Sequence, residues 1–134
     1  MSDTVYLDGH FVPAAEAKVS VFDRGFLFGD AAYEVVPVYG SRVFRPAQHF
    51  ARLRASLEVL GIESPLDDAG WSAIIARLLE GSRAPERSLY IHVSRGVDRE
   101  REATHFSGLR PTVLVAVSDV TLERETLRRG IRAV

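Results

Sequence analysis

Asp23-Arg24-Gly25-Phe26-Leu27-Phe28-Gly29-Asp30-Ala31-Ala32-Tyr33-Glu34-Val35-Val36-Pro37-Val38-Tyr39 is the stretch on which the fold and the chemistry turn. A charged loop punctuated by glycines 25 and 29 runs without a break into a strand-like apolar run. Such glycines let a backbone turn tightly or approach a ligand. The strand opens on Tyr33 beside Glu34, and strand alternation puts these two on opposite faces. A phenol just past such a loop can point into a pocket. The ordinary alternative is a strand aromatic whose hydroxyl meets solvent.

Working outward, Val5-Tyr6-Leu7 and Phe11-Val12 flank Asp8-Gly9, a strong hairpin signal. Lys18 to Phe22 reads as another short strand. Tyr33 to Tyr39 and Arg42 to Arg45 flank Gly40-Ser41, a second hairpin, in which Pro37 suits an edge or a bulge. Pro46 opens a helix that carries Phe50, Leu53, Leu57 and Leu60 at helical spacing and ends at Gly61. A second helix spans roughly residues 67–80, with Trp71, Ile74, Ile75, Leu78 and Leu79 as its apolar stripe. Leu89, Ile91 and Val93 alternate with polar neighbours as a half-buried strand, and 112–117 is apolar enough for a central one. Residues 123–129 read as a short helix, and 131–134 as a strand just beginning. Hairpins, then helices, then strands make an α+β order rather than a βαβ alternation. The expected division is a small α+β domain over 1–120, with 121–134 as the entry to a second domain.

Composition narrows the function. The 134 residues suffice for one domain with its own core, and 46% apolar content is ordinary for a globular protein. A net charge of −1 supplies no basic field for nucleic acid. The absence of cysteine removes disulfides, thiolate catalysis and cysteine metal sites. No apolar run reaches membrane-spanning length, and Met-Ser-Asp-Thr does not start a signal peptide, so a cytoplasmic protein is expected. Lys18 is the only lysine, and its setting is that of a solvated side chain. The histidines at 10, 49, 92 and 105 are scattered, so no metal set is visible.

On the first helix, His49, Arg52 and Ser56 share a face away from the apolar stripe. A guanidinium there can hold a phosphate through parallel hydrogen bonds. From spacing alone a solvated polar face is the plainer reading. Further on, residues 95–106 (Arg-Gly-Val-Asp-Arg-Glu-Arg-Glu-Ala-Thr-His-Phe) alternate charge after a strand end, which by itself reads as a solvated loop.

Three segments together resemble the class IV aminotransferases, the pyridoxal-phosphate enzymes of fold type IV. Phe28-Gly29-Asp30-x-x-Tyr33-Glu34-Val35-Val36 is most similar to the D-amino-acid transaminases. His49-Phe50-Ala51-Arg52-Leu53 is similar to the family's His-x-x-Arg-Leu, which implies that Arg52 binds the cofactor phosphate. Tyr33 by the same resemblance lines the substrate side of the pocket and helps hold a carboxylate. The family carries an Arg-x-His loop that completes this trap from the partner subunit of a dimer. Counting back from Pro111, Arg101 takes the arginine place and Ala103 falls where histidine is expected. Aligning on Phe106 favours His105, with Arg99 or Arg101 beside it. The resemblance implies pyridoxal 5'-phosphate, a homodimer with shared sites, and transfer of an amino group from a D-alanine-like donor to a 2-oxo acid such as 2-oxoglutarate. It also implies that the Schiff-base lysine lies beyond Val134, so no catalytic residue is assigned and residues 1–134 alone are expected to be inactive. Branched-chain and (R)-amine transaminases and aminodeoxychorismate lyase use the same scaffold. A non-catalytic domain that binds a phosphorylated ligand or serves assembly is the alternative from another class.

Overall fold

The computed structural model describes residues 3–81, 84–99, 104, 108–121 and 124–130. Its centre is one six-stranded antiparallel sheet. The strands are β1 (Thr4–Leu7), β2 (His10–Pro13), β3 (Ala31–Tyr39), β4 (Arg42–Val43), β5 (Glu86–Ser94) and β6 (Thr112–Asp119), in the order β2-β1-β6-β5-β3-β4. The helices are α1 (Arg24–Phe28), α2 (Pro46–Leu60), α3 (Asp68–Glu80) and α4 (Arg124–Arg129). The expected α+β class and both hairpins are present. The apolar 112–117 run is β6, an interior strand. No helix among the described residues is long and apolar enough to cross a membrane.

One face of the sheet is covered by α2 and α3, and the other is covered only in part, by residues 19–26 beside His92, Ser94 and Leu114. Alternation in β3 turns Ala32, Val36 and Val38 inward, and β5 and β6 contribute Leu89, Ile91, Val93, Val113, Val115 and Val117 to the same core. Phe50, Leu53 and Leu57 of α2 close over β3, while Trp71, Ile74, Ile75 and Leu78 of α3 pack toward β6 and β1. Opposite, Tyr33, Val35, Tyr39 and Tyr90 stand exposed.

Two buried arginines on or beside β5 fasten the helices to the sheet. Arg87 donates to the Leu79 carbonyl near the end of α3 and to the Gly40 carbonyl in the β3–β4 turn. Arg95, just past β5, donates to the Leu60 and Gly61 carbonyls at the end of α2. The last carbonyls of a helix lack intrahelical partners and carry negative partial charge, so cations are favourable there.

Three expectations need correcting. Residues 18–22 are not a strand: Phe22 N–H donates to the Ser20 hydroxyl and Asp23 N–H to the Ser20 carbonyl, which closes a turn. The segment 24–28 is helical rather than loop, capped by the Asp23 side chain and by Gly29 at φ 67°. Leu60 is 37% exposed, so it sits at the edge of the α2 stripe rather than within the core. The expected strand at 131–134 lies outside the described residues.

Candidate active site

The residues that precede β3 are clasped before the strand begins. Asp30 accepts from Arg24 Nε at 2.9 Å, from Arg95 Nε at 2.7 Å and from Arg95 Nη2 at 3.0 Å. Arg24, Arg95 and Asp98 are all at least 94% buried, with Arg24 3.6 Å from the Asp98 carboxylate. Backbone bonds lace the same segments: Arg24 N–H to Gly96 O, Arg95 N–H to Asp30 O and Asp98 N–H to Phe22 O. Since Arg95 also grips the end of α2, one side chain ties the start of β3 to the last turn of that helix.

Between those two tied elements opens a cleft of about 540 Å³. Ala31, Ala32 and Tyr33 line it from β3, and Arg52, Ala55, Ser56, Val59 and Leu60 from α2. Arg52 and Tyr33, singled out on separate segments, therefore share one cavity, together with Ser56 from the same helix face. The paired alanines leave room, and the guanidinium and the serine hydroxyl supply donors. The β4 strand pairs only with Val38 and Tyr39, so it does not cover the β3 edge above this cleft.

Glu34 is the residue whose place sequence reasoning left empty. It falls on the inward parity of β3 and is 2% exposed. Arg52 meets it with two parallel bonds, Nε to Oε1 at 2.5 Å and Nη2 to Oε2 at 2.6 Å. His49 Nδ1 lies 2.7 Å from Oε2. The polar face of α2 is thus folded over a buried carboxylate rather than solvated throughout. A usable signal was available: a glutamate in register with Ala32, Val36 and Val38 must find cations.

Both carboxylates are held below their ordinary range. For Glu34 burial alone would raise the pKa, and hydrogen bonds from Arg52 and His49 outweigh it. For Asp30 burial again acts upward, and Arg95 and Arg24 more than reverse it. With folded values below unfolded ones, the stabilisation is present at neutral pH. It drains away as the pH drops below the ordinary values of 4.5 and 3.8 toward the depressed ones. We expect the thermal midpoint to fall as pH is lowered from 5 to 2. In a Glu34→Gln, Asp30→Asn double variant it should start lower and fall less steeply. Parallel curves for the two proteins would refute this assignment.

On the opposite face of the sheet from α2, a second aromatic group adjoins Tyr33. The Tyr33 and Tyr90 rings are 5.9 Å apart, as are those of Tyr90 and His92. Burial lifts the Tyr90 phenol above its usual value, with Tyr33 adding to this. Burial pushes His92 down, with Asp23 acting the other way. Arg99 is exposed and is not among the residues lining the Arg52 cleft. Arg101 and His105 lie outside the described residues. Lys18 is exposed in an irregular segment. No metal-binding cluster is found among the described residues.

The family model for amino-transferase class IV matches residues 31–134, the span that begins at the first residue of β3. The chain belongs to the class IV aminotransferases. This class IV chain is 28% identical over 130 residues to the D-alanine aminotransferase of Staphylococcus epidermidis, matching 97% of the chain and 46% of that protein. Its fold is similar to that of the Escherichia coli branched-chain amino acid aminotransferase, with a TM-score of 0.82, 17% identity and coverage of 92% of this chain and 41% of the other. It is also similar to a second branched-chain amino acid aminotransferase, solved with pyridoxamine 5'-phosphate, with a TM-score of 0.79, 21% identity and coverage of 90% and 41%. The branched-chain aminotransferase of the thermophilic archaeon Thermoproteus uzoniensis, solved with norvaline, gives a TM-score of 0.79 at 23% identity, with coverage of 90% and 42%. The class IV chain spans less than half the length of the curated relatives it matches. The α+β fold is that of the N-terminal domain of the fold type IV aminotransferases.

Proposed function

We propose that this chain provides the phosphate-binding and substrate-facing half of a pyridoxal-phosphate-dependent transaminase. The protein would move an amino group from a D-alanine-like donor to a 2-oxo acid such as 2-oxoglutarate, as a cytoplasmic homodimer. The observation that carries the reading is the shared cleft, which Arg52, Ser56 and Tyr33 all line. The choice of D-amino acids rests on the curated relatives, whose name is D-alanine aminotransferase.

The residues present suit the cofactor. Arg52 is held through Nε and Nη2, and Nη1 has no hydrogen-bond partner among the described residues. That side of the fork can donate to phosphate oxygens, with the Ser56 hydroxyl lining the same cleft. When bound, pyridoxal phosphate would supply the electron sink for the amino acid's α-carbon. Tyr33, 63% exposed at the cleft wall, can donate its phenolic proton to a substrate carboxylate. Arg99, Arg101 and His105, brought from the partner subunit, would complete the cationic trap. Residues 1–120 would form the small domain and 121–134 the entry to a larger one that brings the lysine.

The test is the visible spectrum of the purified protein that carries this chain, with and without D-alanine. We expect a yellow band that D-alanine bleaches and L-leucine leaves. Bleaching by L-leucine instead would move the assignment to a branched-chain activity. A colourless protein that never takes up pyridoxal phosphate would overturn the transaminase reading and leave phospholigand binding in its place.

A further inference from the structure

A buried glutamate on the core side of a strand is costly, because desolvating a carboxylate opposes folding even when it is paired. An apolar residue at position 34 would continue the inward row of Ala32, Val36 and Val38 at lower cost. What the carboxylate achieves is geometric. Its two oxygens take the Nε–Nη2 edge of Arg52 in a flat, side-on pair. The guanidinium is planar and its five donors are fixed relative to one another. Fixing one edge therefore fixes the direction of the other, the edge that contains Nη1. The Arg52 side chain is otherwise 66% exposed and would sample many rotamers.

A carboxylate close to a phosphate site also brings repulsion. Here both oxygens are engaged by donors or ring nitrogen: Oε1 by Arg52, and Oε2 by Arg52 and His49. Neither is left unpaired to face an incoming anion.

We propose that Glu34 is the positioning residue for the phosphate-binding edge of Arg52, with His49 completing the carboxylate's coordination. The inference rests on the reading of Arg52 as the phosphate ligand. Glu34 itself touches no phosphate oxygen; it acts through the guanidinium, which arrives in the binding rotamer before the ligand does.

The experiment compares pyridoxal 5'-phosphate with pyridoxal, which lacks the phosphate, by absorbance titration of cofactor-stripped protein carrying this chain. The wild type is expected to prefer the phosphorylated form strongly. Glu34→Gln should reduce that preference by about tenfold, the scale of one mispositioned charge-assisted contact, while leaving pyridoxal affinity nearly unchanged. In an Arg52→Ala background, Glu34→Gln should produce no further loss of preference. A merely structural role would lower both affinities together, and that result, or an unchanged preference in Glu34→Gln, would overturn the inference. Should Glu34→Gln fail to fold, Glu34→Asp serves instead. It keeps the charge, withdraws the carboxylate by one methylene and should lose the same preference; an undiminished preference there would equally sink the idea. A wild-type protein with no preference for the phosphate fails the reading of Arg52 itself, a result separable from any outcome in the variants.

Discussion

Arg95→Met is expected to lower the unfolding free energy by about 3–5 kcal/mol, the usual cost of removing one partner from a buried ion pair. Methionine keeps the unbranched stem and much of the volume, so the loss reads the guanidinium rather than a cavity. With it go at least the two hydrogen bonds to Asp30 and one each to the Leu60 and Gly61 carbonyls. Asp30 keeps Arg24, so its charge is not wholly orphaned. The carbonyls at the end of α2, by contrast, lose the cation placed against them. Chemical denaturation at neutral pH, read by circular dichroism, gives the number. Because Arg95 ties the start of β3 to the last turn of α2, the cleft between them should also loosen. Pyridoxal-phosphate affinity should fall in the same variant at temperatures where it is still folded. A loss below about 1 kcal/mol would mean that the pair is exchanging with water like a surface bridge.

Gly96→Ala is the second large effect, with an expected cost of at least about 3 kcal/mol from combined strain and overlap. Gly96 has φ 101°, a region that side chains other than hydrogen rarely tolerate. A methyl group there would overlap the Arg110 carbonyl oxygen and lie 2.8 Å from its carbon. Backbone cannot swing aside as a flexible side chain would. The Gly96 carbonyl meanwhile accepts from Arg24 N–H, so any shift is transmitted to the clasp on Asp30. The two substitutions are neighbours in one network, and their combined cost should be less than the sum of the separate ones. A melting temperature for Gly96→Ala within a degree or two of the wild type would contradict the described approach of Gly96 to Arg110.

How legible this was in the chain varies with the range of the forces involved. The Asp8-Gly9 and Gly40-Ser41 hairpins are local events, and turn chemistry marked them. The α2 and α3 stripes were readable because burial repeats at helical spacing, and Asp67 does cap α3. Residues 18–22 misled because Val19 and Val21 alternate with Lys18 and Ser20 like a strand, while a serine offering both hydroxyl and carbonyl draws the backbone into a turn. The α1 helix escaped because a five-residue segment holding a glycine has little intrinsic helicity; its two caps and the Gly96 contact make it. Arg52 and Tyr33 were singled out on motif, and their common cleft needed the packing of α2 on β3. Glu34 was given no role because alternation served only to set it opposite Tyr33; its register with Ala32, Val36 and Val38 went unused, and only tertiary structure brings His49 and Arg52 over it. Position 30 is similar, since its two arginines are 6 and 65 residues away along the chain.

The covered face of the sheet has an optical consequence. Trp71 is the only tryptophan in these residues, and it is fully buried on α3. It does not line the Arg52 cleft. Its emission should be blue-shifted in the native state and move to the red when the helix layer lifts from the sheet. Intrinsic fluorescence of this chain would then report loss of the α3 packing, while absorbance of a bound chromophore reports the cleft. Two colours of light would separate unfolding from ligand release in a single cuvette.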